Sequence, residues 1–238
     1  MRPGRRAPDA HPIVGKFIAM ADCCEDKTCA IDAMQVRQSS TLKLVLAINA
    51  VMFVVELAAG LMAGSTALLS DSLDNLGDAL TYGLSLYAVG RGTRDKAKVA
   101  LFKGGLILTA GLFVLGQIVY RIVNPTLPIF ETMGAVSFLA LLANGSCLAL
   151  LWKHRDEDIN MTSVWECSRN DIASNISVLI AAAGVWLIGS GWPDLVIGSL
   201  LALLFLRSAA RVLKGAIAEL KRPVAAKTES QFVKLQRR

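Results

Sequence analysis

Read for hydrophobic runs, the chain divides into six apolar stretches, at 42–62, 66–88, 99–119, 134–151, 162–188 and 195–212. About twenty apolar residues cross a bilayer as a helix, so the pattern predicts an all-α membrane protein with six transmembrane helices. The second stretch is the least apolar, because Asp71, Asp74, Asn75 and Asp78 interrupt it. Charge asymmetry argues that it crosses nonetheless, since Lys and Arg concentrate on the cytoplasmic side of spans. Arg91, Arg94, Lys96 and Lys98 follow the second stretch, and Lys153 and Arg155 the fourth. Arg211, Lys214, Lys221 and Arg222 follow the sixth, whereas 63–65, 124–128 and 190–192 carry no basic residue. That alternation holds only if 66–88 spans, and it puts both termini in the cytoplasm. Asn124, Pro125, Trp192 and Pro193 suit turns at the far interface, and the many glycines within the stretches suit close helix packing.

Composition agrees. Apolar residues make up 54% of the chain and charged residues 18%, against about a quarter charged in a typical soluble domain. The formal net charge of +6 sits in short hydrophilic connections, where the membrane accounts for it, and no nucleic-acid partner is expected. The Arg-rich start is followed by an apolar run broken by Gly15 and Lys16, too weak for a secretory signal peptide; Met20 is an alternative start to Met1. The five cysteines, three in the N-terminal arm and two in helices, give no paired disulfide framework. The expected organisation is a cytoplasmic arm at 1–40, a six-helix membrane domain at 41–212 and a short cytoplasmic tail at 213–238. The tail is too short to fold alone. The place for such a chain is the bacterial inner (plasma) membrane.

The chemistry lies in the second and fifth stretches. Offsets of three and four residues share one helix face, so Asp71, Asp74 and Asp78 form an acidic stripe. A carboxylate at mid-bilayer costs about 3 kcal/mol or more unless paired or solvated, and the second stretch holds no basic residue. The stripe therefore calls for a cation, a water-filled cavity or partial protonation; the structural alternative is helix–helix hydrogen bonding or an ion pair. The fifth stretch carries Cys167, Asp171, Ser174 and Asn175, with Cys167 and Asp171 four apart on one side. Two antiparallel helices could bring three carboxylates and one thiol together, a donor set that suits zinc and its neighbours. In the arm, Cys23, Cys24 and Cys29 lie among Asp22, Glu25 and Asp26. They read either as a metal collector feeding the entrance, an accessory site, or as incidental thiols, the spacing not being a standard zinc pattern.

At these residues the chain resembles the cation diffusion facilitator family, exporters of divalent transition metals in exchange for protons. Asn49, Phe53, Glu56 and Gly60 resemble the family's pattern in the first span, and Asp71-Ser72-Leu73-Asp74-Asn75-Leu76-Gly77-Asp78 is similar to its acidic motif in the second. Asn144 and Trp192-Pro193-Asp194 also fit. The resemblance implies a transport site made of one pair four apart on span two, matching Asp74 and Asp78, and one on span five. There Asp171 matches the second member, and the first, usually His or Asp, falls on Cys167. With that departure, Asn170, Asn175, Ser168 or water are alternatives for the fourth ligand. Family members commonly carry a soluble C-terminal domain that helps hold a dimer; this chain reads as a variant without it, so a homodimer would rest on the membrane region or the tail.

The implied function is proton-coupled antiport of divalent cations out of the cytoplasm, by alternating access. The metal is cargo, and no permanently bound cofactor is expected. Zinc with cadmium leads, and cobalt, nickel, ferrous iron and manganese are tolerated by such ligands. Metal binding releases protons, and with no histidine in any span the coupling protons fall to Asp74, Asp78 and Asp171. Membrane-embedded enzymes fit less well. The Asp-Gly…Ala-Arg lead of CDP-alcohol phosphotransferases and the Gly-x-Gly-Asp of intramembrane aspartyl proteases are both missing, so a secondary transporter is expected. A non-transporting metal sensor or scaffold is the remaining class.

Overall fold

In a computed structural model the residues described are 40–88, 93–152 and 159–221. They form six helices: α1, Ser40–Ala63; α2, Thr66–Ala88; α3, Thr93–Val123; α4, Phe130–Trp152; α5, Ile159–Ile188; and α6, Trp192–Lys221. Each helix contains one of the six stretches read from the sequence. α3 and α6 run well past theirs, because their polar ends continue the helical hydrogen bonding outside the apolar segment. Five of the six, all but α2, are long and apolar enough to cross a membrane.

The exception sits at the centre. α2 packs against α3, α5 and α6 and contributes to three apolar clusters. Tyr82 joins Leu42, Val45 and Cys147 of α1 and α4. Ala67 and Leu68 join Met133, Val178 and Leu201 of α4, α5 and α6. Leu69 and Leu73 join Val114, Ile118 and Ala202 of α3 and α6. Among the described residues, α2 exposes only one large hydrophobic side chain, Tyr87 near its end, whereas the other five helices expose many, such as Val54, Phe113, Phe138, Ile180 and Leu203. A helix with three aspartates cannot face lipid, so the apolar helices surround it and turn their own outer faces outward.

Short connections order the bundle, and two of them open with glycine. Gly64 (φ 67°) and Gly189 (φ 65°) take the left-handed conformation that closes a helix cheaply only without a Cβ. Ser65 then starts α2: its Oγ accepts the amide N–H of Leu68 at 3.1 Å, the usual bond of an N-cap serine. A second cap comes from far along the chain. The carboxylate of Asp194, in the first turn of α6, accepts bonds from the Thr66 amide (2.7 Å), the Ala67 amide (3.0 Å), the Ser65 hydroxyl (2.6 Å) and the Thr66 hydroxyl (2.8 Å). Those first-turn N–H groups have no partner within their own helix, and an anion at a helix N-terminus is favourable. Gly198, one turn along α6, lets the helices meet: a Cβ there would come within 2.6 Å of Thr66 Oγ1 and 2.7 Å of its backbone carbon. Ser70 completes the seam by donating to the Gly198 carbonyl at 2.8 Å.

Candidate metal centre

α2 and α5 are joined by a buried bond, Ser174 Oγ donating to Asp71 Oδ1 at 2.7 Å. Short connections make neighbouring helices antiparallel, so α2 descends from the Gly64 end as α5 rises toward it, and this contact sets their register. Three residues further along α2 stands Asp74, and three back along α5 stands Asp171, at one level. Seven residues from the contact stand Asp78 and Cys167, again at one level. Asp71 and Asp78 are buried, and Asp74 and Asp171 are part-buried.

The structure thus aligns the two helices that carry the sequence-derived ligands. It does not draw the side chains onto one point. Among the described residues no group of three His, Cys, Asp or Glu side chains is gathered as a metal site, Asp74, Asp78 and Asp171 included. The side chains of Cys167 and Asn170 lie outside those described, as do Cys23, Cys24 and Cys29 in the arm. Asn175 is buried and donates to the Asp171 carbonyl at 2.9 Å, which ties its amide nitrogen to the backbone of its own helix.

Several polar groups around this register were not legible as partners. Glu56 of α1 is fully buried and accepts a bond from Asn75 Nδ2 at 2.8 Å, linking α1 to the acidic face of α2. A lone glutamate in an apolar stretch was the available signal. Lys103 of α3 is buried as well, and its ammonium donates to the hydroxyl of Thr81, one turn beyond Asp78. α2 has no basic residue of its own, yet α3 supplies one, a neighbour that only packing identifies. Asn49 of α1 donates to the Val45 carbonyl (2.9 Å) and to Cys147 Sγ (3.8 Å), so that helical cysteine is engaged in α1–α4 packing.

Comparison with known proteins bears on the same segment. Residues 42–220 match the family described as the cation efflux transmembrane domain. The zinc transporter ZitB of Yersinia pestis is 27% identical over 197 residues, covering 76% of this chain and 62% of that protein. The metal cation efflux system protein CzcD of Cupriavidus metallidurans is 25% identical over 177 residues, 68% of this chain and 55% of that protein. A cadmium, cobalt and zinc/H(+)-K(+) antiporter of Bacillus subtilis is 23% identical over 178 residues, 69% and 57% respectively. The chain spans about three fifths of the length of these curated relatives.

Proposed function

That the chain belongs to the cation efflux family, the cation diffusion facilitators, is the premise from which we propose that it exports divalent transition-metal cations from the cytoplasm in exchange for protons. It is a multi-pass integral membrane protein of the bacterial inner membrane. Zinc is the leading cargo, with cadmium beside it. The names of the relatives, a zinc transporter and a cadmium, cobalt and zinc antiporter, support that order.

The observation that carries the reading is the α2–α5 register. One buried bond, Ser174 to Asp71, puts Asp74 level with Asp171 and Asp78 level with Cys167, on helices that run in opposite directions. In our reading these four residues hold the travelling ion, with Asn170 or Asn175 as alternative fourth ligands. A modest motion of α2 against α5 brings the carboxylates onto one cation and releases it to the other side. Ligands must be deprotonated to bind metal, so metal and protons compete for one set of groups. Both termini lie in the cytoplasm, the membrane region mediates a homodimer, and the arm cysteines Cys23, Cys24 and Cys29 serve as an accessory collector.

Proteoliposomes loaded with a pH indicator test the assignment. Asp74→Asn and Asp171→Asn each abolish zinc-driven proton flux while the protein inserts and elutes normally; flux retained in both variants overturns the ligand set. A panel of metals repeated with Cys167→Ala reads the fourth position, and an unchanged metal order removes Cys167 from the site.

A further inference from the structure

Between the Asp74–Asp171 level and one turn nearer the Gly64 end, the bundle buries five oxygens that make no hydrogen bond: Glu56 Oε1, Asp71 Oδ2, Asn75 Oδ1, Ser137 Oγ and Asn175 Oδ1. None of the five residues is more than 2% exposed. Buried polar atoms in folded proteins are paired in the large majority of cases, and each exception calls for an explanation. Packing brings these together. Met133 of α4 touches the cluster of Ala67 and Leu68 of α2 and Val178 of α5. One turn further from the Gly64 end on each of these helices come Ser137, Asp71 and Ser174, with Asn175 beside Ser174. Glu56 is fastened to the same stretch of α2 by Asn75, one turn from Asp71.

Two of the five oxygens belong to carboxyl groups, and those two groups lie within each other's electrostatic reach. Their other oxygens accept one bond each, from Asn75 and Ser174. Neither has an ion-pair partner among the described residues. α3 is apolar at this level, with Ala110 and Val114. Its Lys103 donates to Thr81, ten residues along α2 from Asp71, or about 15 Å at helical rise. Asp194 of α6 is spent on the α2 cap, Asp171 of α5 and Asp74 lie a turn away, and α4 offers only the Ser137 hydroxyl. Burying two uncompensated carboxylates together is strongly unfavourable unless a proton neutralises one of them or a cation joins them.

The donor set identifies that cation's class. The orphan atoms at this place are all oxygen, which suits hard cations over zinc and its neighbours. Magnesium holds its waters and demands an octahedron; with one carboxyl protonated the pair carries a single negative charge, which a monovalent ion balances and calcium overshoots. We propose that Glu56 and Asp71, with Asn75, Ser137 and Asn175, form a second cation site in this protein, for a monovalent, oxygen-ligated alkali ion. The site stands whether or not Asp74, Asp78 and Asp171 hold the transported metal.

The test uses the purified full chain, exchanged into choline chloride, an ion too large to enter. Its thermal midpoint is followed at constant ionic strength as sodium or potassium replaces choline at pH 8, and separately as pH falls to 6 in choline alone. A ligand that binds only the folded state raises the midpoint saturably, here by about 2 °C or more at saturation. An alkali response in wild type that Glu56→Gln/Asp71→Asn, folded by circular dichroism and elution, loses identifies the site. A response to acid alone, or wild type and variant responding alike to sodium and potassium, overturns it. Should the variant not fold, carbodiimide labelling of wild type, mapped by mass spectrometry, decides. Sodium or potassium suppresses modification of Glu56 and Asp71, whereas labelling indifferent to both refutes the proposal. Loss of zinc flux in the Asp74 and Asp171 variants, by contrast, leaves these midpoint shifts in place.

Discussion

Replacing Asp194 with Ala removes four hydrogen bonds from the start of α2 at once. Two of the donors are hydroxyls that can turn elsewhere, Ser65 and Thr66. The other two, the Thr66 and Ala67 amides, are fixed by the helix and buried. Each buried N–H left without a partner costs about 1–3 kcal/mol, and the lost anion at the helix N-terminus adds up to ~2 kcal/mol. Ser65 still caps the Leu68 amide, which retains part of the stabilisation, so the net loss is about 3 kcal/mol. For a chain of this size each kcal/mol lowers the thermal midpoint by about 2–4 °C, giving a fall of about 6–12 °C. Asp194→Asn keeps one acceptor but turns an NH2 toward the remaining donors, and falls between Ala and wild type. Tryptophan fluorescence on heating the purified protein reads the midpoint, and amide hydrogen exchange locates the change. Exchange should quicken at 66–69 while α4 is unaffected, since local opening follows lost local bonds. An Asp194→Ala midpoint within about 1 °C of wild type, or uniform exchange, refutes the reasoning that α6 holds α2 in place.

Other changes test the same framework. Gly198→Ala forces a methyl against the Thr66 backbone and lowers stability by about 1–3 kcal/mol, as overpacking does; Gly105→Ala, with nothing near its Cβ, is neutral or mildly stabilising in the same melts. Ser174→Ala strips the Asp71 carboxylate of its bond and costs about 1–3 kcal/mol, whereas Ser177→Ala, whose hydroxyl bonds only to its own helix at the Ala173 carbonyl, changes the midpoint little. Asn75→Leu unties Glu56 from α2 and destabilises by a comparable amount, and a wild-type midpoint in that variant discounts the α1–α2 link.

The hydrophobic pattern, with the alternation of basic residues between its runs, determined the helix count, the membrane and the helix on which the acidic chemistry sits. Long apolar runs leave a chain in lipid few alternatives, and a run with Asp71, Asp74 and Asp78 at helical spacing can only be an inner helix. The spacing put Asp71, Asp74 and Asp78 on one face of α2 and Cys167 with Asp171 on one side of α5, because i, i+4 geometry is local and survives packing; the resemblance implied Asp74, Asp78 and Asp171 among these as ligands. What it could not supply was contact across the bundle. Ser174 and Asp71 are 103 residues apart and Asp194 and Thr66 are 128 apart, and no local period relates them. Glu56 was visible as an isolated charge, but its partner Asn75 lies on another helix. Lys103 meets Thr81 only because α3 packs against α2. Tertiary structure decided these pairings because helix–helix register is fixed by close approach, at Gly198 against Thr66 above all. The need to satisfy buried polar groups then selects, among many possible neighbours, the ones that meet.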